Sequence, residues 1–263
     1  MNTTTVGDTP QKMERFLNKV PEVSLTFWII KILSTTVGET GADFLAVNAG
    51  WGQGLTRGVM CALLAIALIL QIRKTRYTPW TYWLAVVLIS VVGTQITDAL
   101  TDGLGVSLYV STGVFAVGLA VIFGLWYYLE RTLSIHKITT RRREFFYWAA
   151  VLCTFALGTA AGDLATEALG LGFMWGSLSF GILIAVTLVS WRLGANAVLM
   201  FWIGYILTRP FGAALGDMLT QNKAYGGLGL GAMLTSAIFL TVIVVLVAAA
   251  QLSSGTASAV QKT

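Results

Sequence analysis

The sequence has few of the side chains on which soluble enzymes rely. Its one histidine, His136, lies in a basic stretch, and its two cysteines, Cys61 and Cys153, lie inside separate apolar runs. Neither cysteine has metal-ligand spacing, so both read as small buried hydrophobes. One histidine leaves no HExxH pair and no Ser-His-Asp site within a motif. G-x-G-x-x-G and P-loop patterns are also missing. The expectation is a protein that is not an enzyme and uses no cofactor. Charge is scarce too: 11% of residues, against 56% hydrophobic. Soluble domains carry about 25% charged residues. With a mean hydropathy of +0.76, the chain reads as an integral membrane protein. The polar start, residues 1–25, lacks the short apolar core and cleavage site of a signal peptide.

Long hydrophobic runs are what the chain has in quantity. A span needs about 20 mostly apolar residues. Eight candidates are found, at about 26–47, 53–71, 80–101, 107–129, 146–167, 173–191, 197–219 and 229–250. Lys and Arg mark the cytoplasmic side. Lys12, Arg15, Lys19, Arg73, Lys74, Arg76, Arg131, Lys137, Arg141, Arg142, Arg143, Arg192 and Lys262 all fall on one side of eight spans. Only Arg57 and Lys223 fall on the other. Both termini are therefore expected in the cytoplasm. Topology accounts for the net charge of +5, and the arginine triplet is not read as a nucleic-acid site.

Four segments align without gaps: "WIIKILSTTVGETGAD" (28–43), "WLAVVLISVVGTQITD" (83–98), "WAAVLCTFALGTAAGD" (148–163) and "WIGYILTRPFGAALGD" (202–217). Each carries a tryptophan, a glycine ten residues later and an aspartate five beyond that. The columns are Trp28, Trp83, Trp148 and Trp202; Gly38, Gly93, Gly158 and Gly212; Asp43, Asp98, Asp163 and Asp217. The expected units are a cytoplasmic segment (1–25), repeat 1 (26–79), repeat 2 with a basic loop (80–145), repeat 3 (146–196), repeat 4 (197–252) and a cytoplasmic tail (253–263). Each repeat has two spans, so all four point the same way. The fold expected is an all-α polytopic membrane protein of eight helices, with pseudo-symmetry about the membrane normal. The glycines, each with a small residue four places on, read as packing notches. The tryptophans read as anchors at the cytoplasmic border.

Acidic residues cluster in the same blocks. Glu39 and Asp43, Asp98 and Asp102, and Asp163 and Glu167 are each four apart, on one helical face; in the fourth repeat Gln221 replaces the last acid. At about 1.5 Å per residue each aspartate stands roughly 22 Å beyond its tryptophan, in the outer half of the membrane. A charge at the centre of a membrane helix costs at least about 2.5 kcal/mol, so these groups should face protein, water or a cation. Lys31 and Arg209 are the candidate internal counter-charges, and a fixed Arg209–aspartate ion pair is one reading of them. Pro210 should kink or break its helix.

The segments with their W-x9-G-x3-small-Asp pattern resemble a family of bacterial membrane proteins described as tandem repeats of unknown function, often labelled only as membrane-anchored. The resemblance runs from residue 28 to about 250. It implies a bacterial inner-membrane protein and carries no activity. From the residues, the first reading is a transporter of a small hard cation, Mn²⁺ or Mg²⁺, as an exporter or proton exchanger. Oxygen ligands suit such ions, and Asp43, Asp98, Asp163 and Asp217 would be the metal ligands, with Glu39, Asp102 and Glu167 behind them. Crowded carboxylates also relay protons. Two other readings stay open: a proton-coupled carrier of an organic solute, and a membrane enzyme or non-transporting partner subunit. The expected partners are the lipid bilayer, a small cation, protons and, through the small-residue ridges, a second copy of the chain.

Overall fold

A computed structural model describes residues 18–44, 50 and 52–260, without the side chains of 42–43 and 254–260. All eight expected segments are helical: α1 (Leu25–Asp43), α2 (Gly52–Arg73), α3 (Pro79–Asp98), α4 (Leu108–Glu130), α5 (Arg141–Asp163), α6 (Gly172–Arg192), α7 (Ala197–Thr220) and α8 (Ala232–Val260). Seven are long and apolar enough to cross a membrane; α1, with Lys31 and two acids, is not among them. Side-chain oxygens start several helices by accepting orphan N–H groups. Ser24 caps α1, Ser107 α4, Thr140 α5 and Asn196 α7. Pro79 opens α3, where its missing N–H costs nothing.

The contact pattern sorts the helices into two shells. Helices α1, α3, α5 and α7 touch in a closed circuit: α1 on α3, α3 on α5, α5 on α7, and α7 on α1. The outer helix of each repeat packs on the inner helix of the next: α2 on α3, α4 on α5, α6 on α7, and α8 back on α1. Within the most apolar stretch of each span, 56%, 61% and 50% of α3, α5 and α7 is buried, against 28%, 11%, 11% and 17% of α2, α4, α6 and α8. The outer shell therefore offers apolar side chains to lipid, as a span must.

Glycine sets how closely the inner helices approach. A Cβ on Gly38 would overlap Ser90, on Gly93 would overlap Phe155, on Gly158 would overlap Arg209, and on Gly212 would overlap Thr35. Each residue met stands seven places after the tryptophan of the neighbouring repeat. Thr97 adds a hydrogen bond across α3–α5, to the Ala156 carbonyl at 3.0 Å. Thr36 does the same across α1–α7, to the Gly212 carbonyl at 3.1 Å.

Three local expectations change. The helix widens to π geometry directly after Asp98 (Ala99–Gly103) and Asp163 (Leu164–Ala168). The turn that follows each of these aspartates is thus not α-helical, and Asp102 and Glu167 are exposed while Asp98 and Asp163 are half-buried. Second, α7 runs unbroken through Pro210; hydroxyls of Thr35 and Thr36 on α1 bond the Thr208 and Gly212 carbonyls around it. Third, Trp83, Trp148 and Trp202 are buried in the protein. An amphipathic ring at a helix end, which suggests a lipid border, also fits an inner helix end surrounded by other helices.

Candidate functional site: a layered polar axis

The inner helices stack three layers along their common axis. The first is aromatic. Tyr82, Trp83, Tyr147, Trp148, Trp202 and Tyr205 pack ring on ring with centroids 5.1–6.5 Å apart. The Tyr82 and Tyr147 hydroxyls meet at 2.5 Å. Trp202 donates to the Leu133 carbonyl at 3.0 Å, and Trp83 to the Tyr77 hydroxyl at 3.2 Å. This layer closes the tryptophan end of the axis.

The second layer is cationic. Lys31, 1% exposed, rises from α1 with its ammonium 4.1 Å from the Phe155 ring centre and 4.3 Å from that of Tyr205. The Thr208 hydroxyl accepts from it at 3.3 Å. Desolvated cation–π contacts are worth about 2 kcal/mol, and two aromatic faces here take the place of a carboxylate. Above Lys31 lies Arg209, 0% exposed, and it touches every inner helix. Its stem fills the notch left by Gly158 on α5. Its guanidinium donates to the Thr35 carbonyl at 3.1 Å and to Glu39 at 2.7 Å on α1, and to the Thr94 hydroxyl on α3. The Phe155 ring centre is 5.9 Å from its central carbon. The predicted internal ion pair thus exists, but with Glu39 in place of an aspartate. Arginine suits this position because its fork spans three acceptors at once.

The third layer is acidic. Asp163 on α5 lies in the electrostatic field of Glu39, Glu167, Asp217 and Asp98, and Glu167 in that of Asp102 and Glu39. Acids from α1, α3, α5 and α7 therefore converge at the aspartate end. Glu39 is the link between layers: it holds Arg209 on one side and acts on Asp163 on the other. The Asp43 side chain lies outside the described residues, so its predicted role as a ligand is not located. Among the described residues no group of three or more His, Cys, Asp or Glu is placed to hold a metal ion.

The acid columns, Lys31 and Arg209 can be read from the sequence. Phe155, Tyr205 and Thr208 cannot, because an aromatic or threonine in an apolar helix looks like ordinary core. For Phe155 the signal is the column seven places after each tryptophan, Thr35, Ser90, Phe155 and Arg209, whose one charge marks where the axis is crossed; Tyr205 and Thr208 lie outside that column.

Comparison with curated proteins and with solved structures finds no match. The family described as Repeat of Unknown Function (DUF347) matches four times, over residues 26–77, 81–132, 146–194 and 200–256. Each match holds one tryptophan–glycine–aspartate column set and one inner–outer helix pair, and together they take up most of the chain: the protein belongs to this family of tandem membrane repeats.

Proposed function

We propose that the protein is a transporter of a small cation in a bacterial inner membrane, with both termini cytoplasmic. The reading takes the four repeats as parallel, arranged about an axis near the membrane normal. The shared glycine register supports that arrangement, and the lysines and arginines at the tryptophan end support the orientation. The observation that supports the function is the convergence of acids from all four inner helices around Asp163, one of them Glu39, the carboxylate that pins Arg209 across the axis. A cation or proton entering from the aspartate end is collected by Asp98, Asp163 and Asp217. It then competes with Arg209 for Glu39. Binding there frees the guanidinium, and with it a side chain joined to all four inner helices.

The proton makes the smallest demand on this site, since a single carboxylate takes it. Mg²⁺ and Mn²⁺ need several oxygens in fixed geometry, so the divalent form of the reading requires Asp43 to complete the set. A proton-coupled carrier of an organic solute is the second reading, favoured by the aromatic faces of Phe155 and Tyr205, which already hold one ammonium. No catalytic step is part of either reading.

Proteoliposomes loaded with a pH-sensitive dye, or with a Mn²⁺/Mg²⁺ indicator, test the proposal. Wild-type protein should pass protons or metal down an imposed gradient. Asp163→Asn should lower that flux at least about tenfold, the cost of about 1.4 kcal/mol in the transport step, while eluting as folded protein. Full flux in both Asp163→Asn and Glu39→Gln would reject the carboxylate route.

A further inference from the structure

The tryptophan end is tied down by a part of the chain that belongs to no repeat. Residues 18–21, just before α1, are buried although they include Asn18 and Lys19. Asn18 accepts from the Ile138 N–H through its side chain at 3.1 Å and from the Tyr77 N–H through its carbonyl at 3.0 Å. The Lys19 N–H returns a bond to the Ile138 carbonyl at 3.1 Å. The Lys19 ammonium donates to the Ile72 carbonyl at 3.1 Å and to Glu144 at 2.6 Å, with both side chains nearly excluded from solvent. Gln71 donates to the Lys19 carbonyl at 3.4 Å.

One short strap therefore binds the end of α2, the α2–α3 link, the α4–α5 loop and the first turn of α5. Two further bonds carry its grip to the aromatic layer: Tyr77 accepts from Trp83, and Leu133, in the loop that holds Ile138, accepts from Trp202. At the far end the acids are half-buried or exposed. At the strapped end the rings of Tyr82, Tyr147 and Tyr205 are fully buried.

We propose that residues 18–24 are a latch: the buried Lys19–Glu144 pair fastens the tryptophan end shut, and its release is what lets that end open. A buried ion pair is a poor adhesive beside an apolar pair of the same size, since both charges lose their water. Losing either partner strands the other. Such a joint is specific in register and releasable once water reaches it, which a latch needs and a permanent fastening does not. Every group in the strap lies outside the acid layer, so the latch stands apart from the identity of the cargo.

The test uses a cysteine reporter in the full chain with Cys61 and Cys153 replaced by alanine. Val86 is fully buried and stands three residues beyond Trp83, in the same register as Lys31 and Tyr205. A membrane-impermeant maleimide should label Val86→Cys slowly. Adding Lys19→Met should raise the rate at least tenfold, and Glu144→Gln should do so as well. Joining Lys19→Met to Glu144→Leu should bring the rate back to the starting value or below, because an apolar pair seals the joint again. Unchanged labelling in both single variants overturns the latch. So does equal acceleration at an Ala160→Cys reporter, buried on α5 nearer the aspartate end, since that would mean general loosening. Because nothing is transported in this assay, its failure leaves the flux experiment standing, and the reverse also holds.

Discussion

Arg209→Met is expected to be the most damaging single change in the molecule. It removes the guanidinium that joins α7 to Thr35, Glu39 and Thr94, and it leaves Glu39, 12% exposed, without its cation. Breaking a buried pair from one side costs about 3–5 kcal/mol, most of it the penalty on the stranded charge. Thermal unfolding in detergent should show the loss. The diagnostic result is the double variant Arg209→Met with Glu39→Gln, which should regain a large part of the stability because no charge is left unpaired. Arg209→Lys should stay well below wild type, since an ammonium cannot span three acceptors in a fixed fork. If the double variant melts no higher than the single one, Arg209 works by packing and the charge argument fails.

Gly158→Ala should come next. The added methyl would occupy space already filled by Arg209 Cβ and Cγ, with Pro210 Cδ 3.0 Å away. The arginine stem begins at a buried backbone, and the proline ring beside it is rigid, so neither neighbour can give. Overpacking of this kind costs about 1–3 kcal/mol, and more where the backbone must move; here a value near the upper end is expected. Gly204→Ala is the matched control. An alanine methyl there would lie 3.5 Å from its nearest neighbour, the edge of Trp28, an ordinary contact. Removing a helix glycine at that position should be neutral or gain up to about 1 kcal/mol. The two variants compared by melting temperature separate notch packing from any general cost of alanine. Equal behaviour would mean that the α5–α7 approach is not limited by Gly158.

Much of this architecture can be read from the sequence because its columns are chemically loud. A tryptophan, a glycine and an aspartate at fixed intervals stand out in apolar helices, and four copies leave little room for chance. The small-residue column also gives the correct physical role, since each glycine sits where another backbone comes close. What periodicity within one helix cannot give is the neighbour across the gap. It marks a face as special and is silent on what meets it. The packing of α2 on α3, and not on α1, is therefore invisible in the repeat alignment. The same limit hides the partner of Arg209: seven acids are candidates, and only the register between α1 and α7 selects Glu39. Lys31 reads in sequence as a counter-charge for a carboxylate, yet aromatic faces enclose it, because Phe155 and Tyr205 resemble core residues until the helices are placed. The strap escapes notice for a related reason. Asn18 and Lys19 are polar residues in a polar stretch, and burial of such residues leaves no trace in composition.

The circuit of inner helices has a consequence for how the chain is made. Helix α1 leaves the ribosome before the other seven, yet it is the one of the eight not apolar enough to cross a membrane, with Lys31 and Glu39 in its body. The groups that meet those charges come later: Thr94 and Phe155 in mid-synthesis, then Tyr205, Thr208 and Arg209, while α8 packs on α1 last. The first helix thus depends on the last two, and no early portion of the chain can be a finished unit. A chain that stopped before α7 would lack the Tyr205 ring and Thr208 hydroxyl that meet Lys31 and the guanidinium that pairs with Glu39.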